Sequence, residues 1–352
     1  MTETSLPLFA PLSVLYGATM RTRLELYRRG LLATSKLPAP VISVGNLTTG
    51  GTGKTPLTES IARMLAQQRR RVCILTRGYG RQKPNKRVLV SDGEKVLASE
   101  TDAGDEPRLL AENLQGLAAI ISDADRFAAG QWAIRELGSD VFILDDGFQH
   151  LRLARDLNIV VVDATQPWGN GHLLPWGRLR EPRSGLSRAD CVVITRADQA
   201  EDVDVLREQV RELSRNKPIS TSAMRVRRLR KLSEKSSESG IPDHEVPRPV
   251  AILCGIGNPP AFIRQLQDAG YDQSWVSAFP DHHLYSQQEV DEVVAKAKRT
   301  GAQCLLTTAK DAVKLRDLRF DLPCYVLDIE IAIDNDKPLV EMIRATVNRT
   351  PR

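Results

Sequence analysis

A glycine-rich loop separates an apolar run from a helix-like run in the segment VISVGNLTTGGTGKTPL, between Val41 and Leu57. Glycines let backbone N–H groups converge on an anion, and a helix N-terminus attracts negative charge, so the loop suits phosphate. Lys54 is placed to reach the terminal phosphates of a nucleotide, and the hydroxyl of Thr55 is placed to ligate Mg²⁺. The candidate nucleotide-binding residues are Gly50, Gly51, Thr52, Gly53, Lys54 and Thr55.

The loop departs from the common phosphate-loop pattern, because Thr48 stands where that pattern has its first glycine. It is similar to the GGxGK[ST] loop of one branch of P-loop ATPases and GTPases, although Thr49 replaces the second lysine that many of them carry. The alternative is a glycine-rich turn with an incidental lysine and threonine. The apolar strand before the loop and the helical spacing of Leu57, Ile61 and Leu65 after it favour phosphate binding.

Two adjacent carboxylates form a second chemical signal, because Asp145 and Asp146 follow the short apolar run VFIL. Acids directly after a buried strand, downstream of a phosphate loop, hold Mg²⁺ in phosphoryl-transfer sites. Gln149 and His150 come next and are placed to face an acceptor. A polar turn is the alternative, but grouped carboxylates are costly without a cation or proton chemistry. We therefore predict a metal site that combines Thr55 with one of the two carboxylates, while the neighbouring carboxylate or the Gln149–His150 pair faces the acceptor.

Three further polar clusters lie next to predicted strand or helix ends. RGYGR contains Arg77 and Tyr79 at the carboxyl end of a strand, where open α/β sheets bind ligands, although a basic turn is the alternative. In GDEP, Asp105 is close to a helix N-terminus, and helix capping is its alternative role. His282 and His283 precede another helix in a segment that lacks the further ligands a metal site needs.

The length and composition allow the folded chain one large core or two ordinary ones. The sequence has 352 residues, of which 41% are hydrophobic and 26% charged, so two domains are the better expectation. A net charge of +5 suits an anionic substrate or membrane surface as well as nucleic acid. The five cysteines are scattered without a CxxC pair, which indicates buried thiols in a reducing cytosol.

The N-terminal segment from Leu6 to Met20 is largely apolar but is interrupted by Pro7 and Pro11, so it is too short and broken to span a bilayer. Arginines follow it, whereas a signal peptide has its charges before the apolar part. An interfacial helix is one interpretation. A helix docked on the protein's own core is the other. The residues that can share an apolar surface are Leu12, Leu15, Tyr16, Leu24, Tyr27 and Leu31.

Alternating apolar runs and helical patterns predict an α/β protein: a P-loop NTPase-like α/β/α sandwich with a second, smaller α/β domain. We divide the chain into an N-terminal helix region (1–35), a P-loop kinase domain (36–225), a charged linker (226–248) and a C-terminal α/β domain (249–352). Within the first domain, the loop from Trp168 to Pro182 is a candidate binding element. The tetrapeptide TRAD, starting at Thr195, is weakly similar to a GTPase base-reading motif, and a plain strand end is the alternative. In GIGNPP, prolines remove the third glycine of a dinucleotide motif, so we exclude NAD binding.

Taken together, the motifs carry a resemblance that no single one of them does. GNLTTGGTGKTP, RGYGR, GDEP, DDGFQH, GNGxLLPxGxLREP, GIGNPPxF, FPDHHxY and TTxKDAVKL occur in this order between Leu6 and Leu315. The set resembles the tetraacyldisaccharide 4'-kinase (lipid A 4'-kinase) family. Two departures concern Trp176 and Arg178 in the loop, which affect expected acyl or sugar contacts, and Ala309, which replaces an expected acid beside Lys310.

The resemblance implies ATP- and Mg²⁺-dependent phosphorylation of the 4'-hydroxyl of a tetraacylated glucosamine disaccharide 1-phosphate. It places the protein peripherally at the cytoplasmic face of the inner membrane, on an anionic surface, with no nucleic acid and no obligatory protein partner. The implied catalytic residues are Lys54 and Asp105, the latter paired with His282 or His283. The implied metal site consists of Thr55, Asp145 and Asp146. The implied substrate-binding residues are Arg77, Tyr79, Arg126, Gln149, His150, Asn170, Arg180 and Glu181.

Two other functions remain open from the sequence alone. A membrane-associated ATPase or GTPase switch with the same deviant loop would account for the loop and TRAD. It would not account for the acidic and histidine clusters. A membrane-binding scaffold would account only for the N-terminus.

Overall fold

The computed structural model describes residues 9–233 and 240–349, which build one sheet of twelve strands with helices packed on its faces. The strands are β1 Val41–Asn46, β2 Val72–Thr76, β3 Val88–Ser91, β4 Ala118–Ser122, β5 Val141–Asp145, β6 Leu157–Asp163, β7 Cys191–Thr195, β8 Ile219–Lys231, β9 Val250–Cys254, β10 Gln273–Ala278, β11 Cys304–Thr308 and β12 Cys324–Asp334. The helices are α1 Ala10–Arg28, α2 Lys54–Gln67, α3 Glu100–Ala103, α4 Asp105–Asn113, α5 Arg126–Leu137, α6 Val203–Leu213, α7 Pro259–Asp268, α8 Gln287–Arg299, α9 Ala309–Leu315 and α10 Lys337–Val347.

The strand order is β10-β9-β11-β12-β8-β7-β6-β1-β5-β2-β4-β3, and all neighbouring pairs are parallel except β3 with β4 and β8 with β12. Strands such as β2, β5 and β9 are buried along their whole length. Burial on both faces explains why they are continuous apolar runs rather than alternating patterns. The predicted α/β/α class is confirmed.

A long antiparallel ribbon joins the N-terminal part of the sheet, which contains β1 to β8, to the C-terminal part, which contains β9 to β12. In this ribbon β8 pairs with β12 from Thr221 opposite Asp334 to Lys231 opposite Tyr325. Residues 226–231, the start of the predicted linker, lie inside β8, where the ladder to β12 pairs their backbone groups. Residues 234–239 of the predicted linker lie outside the described residues, and the domain boundaries stay predictions.

Helix α1 is both docked and partly exposed. Ser13 Oγ donates to the carbonyl of Leu173 at 2.9 Å, and Tyr16 Oη donates to the carbonyl of Arg180 at 2.8 Å. Leu12 and Leu15, in contrast, remain exposed, so the predicted common apolar surface is divided between the protein and solvent. Residues 6–8 of the apolar segment lie outside the described residues. In the part of the chain that the structure describes, no helix has the length and apolar character needed to cross a membrane.

The carboxyl ends of the parallel strands carry the residues that could do chemistry. β1 leads into the glycine-rich loop, β2 into Arg77, β5 ends at Asp145, and β11 leads into Lys310. This is the edge at which open α/β sheets bind ligands. All five cysteines are buried and free, as the sequence predicted.

Candidate active site

The glycine-rich loop presents its backbone to an anion. Gly50 and Gly53 have φ values of 109° and 88°, a left-handed region that glycine adopts without strain. Helix α2 begins directly after Gly53, and no side chain of the described residues caps its N-terminus. The first N–H groups of α2 are therefore free to donate to phosphate.

Neighbouring strands hold this loop in place. Asn46 Nδ2 donates to Thr52 Oγ1 at 2.9 Å, and Thr195 Oγ1 donates to the carbonyl of Thr52 at 2.8 Å. Arg196 donates to the carbonyl of Gly51 at 3.1 Å and also pairs with Asp163. Thr195 and Arg196, the first two residues of TRAD, thus donate hydrogen bonds to the backbone of the phosphate loop. The sequence did not predict these contacts.

The two adjacent carboxylates lie beside the loop. Asp146 Oδ1 is 3.6 Å from Lys54 Nζ, and Asp146 Oδ2 accepts from Arg180 Nη1 at 2.6 Å. Asp145 Oδ1 accepts from the hydroxyl of Thr58 at 3.2 Å. The structure thus brings Lys54, Asp146 and Arg180 together, and Thr58 is an additional contact that sequence reasoning missed.

The electrostatic environment separates the two carboxylates. Burial, followed by the neighbouring charges of Glu106 and Asp146, raises the pKa of Asp145 to about 7. Burial also raises the pKa of Asp146, but the positive charges of Lys54 and Arg180 outweigh this effect and the net shift is downward. Asp146 is therefore the firmly ionised member of the pair.

These oxygen donors fit Mg²⁺. Asp146 Oδ1 is buried and receives no hydrogen bond within the described ranges, and such an orphaned carboxylate oxygen is what a cation would satisfy. Thr55 is the second residue of α2, next to Lys54. The described residues contain no group of three or more His, Cys, Asp or Glu side chains arranged to hold a metal. Mg²⁺ commonly needs only one or two carboxylates, since phosphate oxygens and water supply the rest.

Asp105 meets His282 across the boundary between the N-terminal and C-terminal parts of the sheet. His282 Nδ1 lies 2.9 Å from Asp105 Oδ2 and 3.1 Å from Oδ1. Asp105 is the first residue of α4, after the N-cap Gly104, and its Oδ1 also accepts from the backbone N–H of Glu106 at 2.9 Å, so the carboxylate serves the helix N-terminus as well. His282 has a φ of 63°, a strained value for a non-glycine residue at a ligand-facing turn.

Two lysines of α9, which the sequence analysis did not single out, surround this pair. Lys310 Nζ lies 4.0 Å from Asp105 Oδ2, and Lys314 Nζ lies 3.8 Å from the same atom. Lys310 also donates to Glu106 at 3.0 Å and to Asp281 at 2.9 Å. Lys310 thus has Glu106 and Asp281 as acidic partners, whereas position 309, where an acid was expected, is an alanine. The spacing of Lys310 and Lys314 in KDAVK was the signal available, since residues four apart share a helix face.

The charges around Asp105 keep it ionised. Burial alone would raise its pKa, but the hydrogen bond from His282 and the charges of Lys310 and Lys314 lower it to about 2. The hydrogen bond to Asp105 raises the pKa of His282. The pair is thus a carboxylate facing an imidazole that binds its proton more tightly than usual.

His283 is not part of this pair. Its Nε2 lies 3.1 Å from Glu289 Oε1, and its ring stacks on Phe279 with a centroid distance of 4.6 Å. Glu289 also forms a capping box with Ser286 at the start of α8. Of the two candidate partners for Asp105, only His282 contacts it.

Arg77, Tyr79 and Arg126, three of the predicted substrate-binding residues, lie close together. Arg77 lies over the Tyr79 ring, with 5.3 Å from guanidinium carbon to centroid, and Arg126 is buried nearby. Burial, followed by the charge of Arg126, lowers the pKa of His150 to about 3, so this imidazole is neutral. Gln149 Nε2 donates to the carbonyl of Asn46 at 2.8 Å, which links it to the strand before the phosphate loop.

Glu181 and Asn170 have supporting roles in the structure. Glu181 is fully buried, where it accepts from Gln149 Nε2 at 2.7 Å and pairs with Arg188. Asn170 is exposed and donates to the carbonyl of Trp176 at 3.1 Å within its own loop. The structure brings Glu181 to Gln149, but it does not bring Asn170 to the other site residues.

The GIGNPP segment lies directly on the phosphate loop. A Cβ built on Gly257 would meet the backbone nitrogen of Gly51 at 2.4 Å. Asn258 Nδ2 anchors the segment by donating to Asp163 Oδ2 at 3.1 Å and Thr165 Oγ1 at 3.0 Å. A cavity of about 170 Å³ remains beneath it, and Lys54 and Lys310 line it from the two parts of the sheet. GIGNPP therefore covers the phosphate loop and the cavity beside it rather than forming a dinucleotide motif.

Comparison with known proteins agrees with this geometry. The family model described as tetraacyldisaccharide-1-P 4'-kinase matches residues 5–348. The tetraacyldisaccharide 4'-kinase of Geobacter metallireducens is 43% identical over 95% of this chain and 96% of its own length. That of Desulfotalea psychrophila is 39% identical over 93% and 92% of the two chains. The crystal structure of LpxK from Aquifex aeolicus in complex with ATP is 31% identical, covers 96% of this chain and 98% of its own, and superposes with a TM-score of 0.74. This chain therefore belongs to the tetraacyldisaccharide-1-P 4'-kinase family.

Proposed function

We propose that this protein is an ATP-dependent kinase that phosphorylates the 4'-hydroxyl of a tetraacylated glucosamine disaccharide 1-phosphate in lipid A biosynthesis. Membership of the family supports the reaction. One observation carries its assignment to particular residues. Lys54 of the phosphate loop and Lys310 line one cavity, and Lys310 Nζ lies 4.0 Å from the carboxylate of Asp105, which His282 contacts.

The N-terminal part of the sheet holds the phosphates. Backbone N–H groups of Gly50 to Thr55 donate to phosphate oxygens, and Lys54 reaches the terminal phosphates. Thr55, Asp145 and Asp146 would hold Mg²⁺, which neutralises charge that develops on the transferred group. Arg180 keeps Asp146 ionised and oriented through the 2.6 Å hydrogen bond.

Asp105 accepts the proton of the acceptor hydroxyl. A carboxylate with a pKa of about 2 is a weak base, but it is always ionised at neutral pH. In a loose transition state the hydroxyl needs little activation early and loses its proton late, so a fixed and ionised acceptor is sufficient. His282 orients the carboxylate, and its raised pKa stabilises the ion pair.

The acceptor sugar lies on the side of Arg77, Tyr79, Arg126, Gln149 and His150. Arg77 and Arg126 supply positive charge for an anionic head group, and Tyr79 supplies a ring face for a sugar. Neutral His150 and the amide of Gln149 supply hydrogen bonds to hydroxyl groups. Glu181 positions Gln149 through a hydrogen bond and does not contact the substrate.

The protein acts from the membrane surface, where its lipid substrate lies. Phe9, Leu12, Val14 and Leu15 are exposed on α1, which supports peripheral binding at the cytoplasmic face of the inner membrane. An exposed apolar surface of this kind, with arginines at the same helix, favours anionic lipid.

The decisive test is turnover with defined substrates. Purified protein, ATP and Mg²⁺ should convert a tetraacyl disaccharide 1-phosphate to a bisphosphate, which mass spectrometry and ³¹P NMR resolve at the 4' position. The Lys54→Ala variant serves as the negative control. Nucleotide hydrolysis that is equally fast without the lipid, and yields no bisphosphate, would instead support the nucleotide-switch alternative.

A further inference from the structure

A second, larger cavity lies between the C-terminal half of α1, the connection from β5 to β6, and residues 182–188. Its volume is about 780 Å³. Glu181 is the only one of the predicted site residues that lines it. The phosphoryl-transfer site therefore does not account for this cavity.

Four arginines face this cavity from three chain segments. Arg21 and Arg28 come from α1, Arg155 follows β5, and Arg188 ends a short 3₁₀ helix. Two acids, Glu25 and Glu181, also line the cavity, and each forms an ion pair with one of these arginines. The lining is therefore net positive before any ligand binds.

Arg188 has donor groups without an acceptor. Its Nη2 pairs with Glu181, and its guanidinium carbon lies 4.2 Å from the centroid of the Phe148 ring. Its Nε and Nη1 are buried and have no hydrogen-bond partner within the described residues. Buried donors without acceptors are unfavourable, and an anion in the cavity would supply the missing acceptors.

Arg155 is fixed in position by the backbone. Its Nη1 donates to the carbonyl of His150 at 2.9 Å, and its Nε donates to Asn158 Oδ1 at 3.0 Å. Burial, followed by the charge of Arg188, lowers the pKa of Arg155 to about 10, although the charges of Asp190 and Glu181 act in the opposite direction. An anion in the cavity would reduce the remaining repulsion between the two guanidinium groups.

Apolar side chains form the rest of the wall. Leu24 and Tyr27 of α1 face Leu151, Leu153 and Pro182. A small inorganic anion would leave this surface in contact with water. A phosphate attached to an acyl chain would contact both the arginines and the apolar side chains, and burial of apolar surface would add to the binding free energy of the ion pairs.

We propose that this cavity binds the phosphate of an anionic lipid, with the arginines around the phosphate and the lipid chain along α1. The phosphate comes either from a phospholipid of the membrane or from position 1 of the lipid substrate. The two sources share one chemistry, and the experiment separates them.

The test compares arginines of α1 that differ in one respect. Arg28 and Arg29 are adjacent, and both pair with Glu25, at 2.8 and 2.6 Å. Only Arg28 lines the cavity. Arg28→Ala and Arg29→Ala therefore remove the same charge from the same helix end, and Arg21→Ala adds a second variant inside the cavity.

Binding of short-chain phosphatidylglycerol below its micellar concentration is measured by calorimetry, without ATP, so that the result does not depend on catalysis. We expect each cavity variant to bind about five-fold more weakly, and Arg29→Ala to bind like wild type. Short-chain phosphatidylcholine should bind weakly to all of them. Inorganic phosphate that binds as tightly as phosphatidylglycerol would overturn the lipid part of the proposal.

The substrate arm uses the KM for the lipid acceptor. If phosphatidylglycerol does not bind, but Arg21→Ala and Arg28→Ala raise this KM about five-fold while Arg29→Ala does not, the phosphate is that of the substrate. Equal behaviour of the Arg28 and Arg29 variants in both arms would refute the site, since the effect would then be general surface charge.

Discussion

The contact between Asp105 and His282 predicts a specific pattern of kinetic loss. Asp105→Asn removes a charge that His282, Lys310 and Lys314 all face at 4.0 Å or less. Loss of a positioned proton acceptor lowers kcat by about 10²- to 10⁴-fold. His282→Ala removes the hydrogen bond that orients the carboxylate. If the two residues act as a unit, the kcat of the double variant should lie within a few-fold of the kcat of the less active single variant.

The cycle is measured as single-turnover phosphorylation of the lipid acceptor at saturating ATP, with ATP affinity determined by calorimetry. His283→Ala is the matched control, because it removes the neighbouring imidazole, which contacts Glu289 and Phe279 instead of Asp105. It should keep near-normal kcat. Thermal unfolding of Asp105→Asn is checked as well, since the two lysines lose a counter-charge. Losses that multiply in the double variant, or a normal kcat for Asp105→Asn, would refute the paired role.

Four further outcomes are expected. Lys54→Ala should lower kcat by about 10²-fold or more with an unchanged far-UV spectrum, and near-normal turnover would contradict the phosphate-loop assignment. Leu12→Ser with Leu15→Ser should weaken cosedimentation with anionic vesicles, by about five-fold per leucine, while ATP affinity stays constant. Gly257→Ala should weaken ATP binding by roughly ten-fold, because its Cβ would meet the phosphate-loop backbone, and unchanged affinity would show that this contact does not matter. Because the pKa of His282 is raised in the folded protein, its pairing stabilises the fold fully below pH ~6.5, and this stabilisation is lost as pH rises through the raised value. The difference in free energy of unfolding between wild type and His282→Ala should shrink over that range in urea titrations, and a constant difference would argue against the ion pair.

The strands and the phosphate loop could be predicted because their signals are local. β1, β5 and β9 are fully buried runs of five or six residues, which the sequence shows as unbroken apolar stretches. The loop between β1 and α2 combines glycines with a helix start, and each element is defined by its own neighbours. Such features depend little on the rest of the chain.

The contacts across the sheet could not be predicted to the same depth. Asp105 and His282 are 177 positions apart, and only the topology places them together. Spacing also gave no choice between His282 and His283, because both lie before α8 in an irregular segment whose backbone decides which ring points to α4. The charged stretch of β8 did not predict a strand, because an antiparallel ribbon can expose one face, so its composition is that of a surface connection.

The charges of the two parts of the sheet are complementary where the parts meet. Asp105 and Glu106 come from the N-terminal part, whereas Lys310, Lys314 and His282 come from the C-terminal part. Removal of these partners while the two parts stay in contact would leave the buried carboxylate of Asp105 uncompensated, which is strongly unfavourable. Lys310, which contacts both acids, also lines the cavity opposite Lys54. The same side chain therefore links the contact at Asp105 to the cavity beside the phosphate loop, so both parts of the chain contribute to the candidate site.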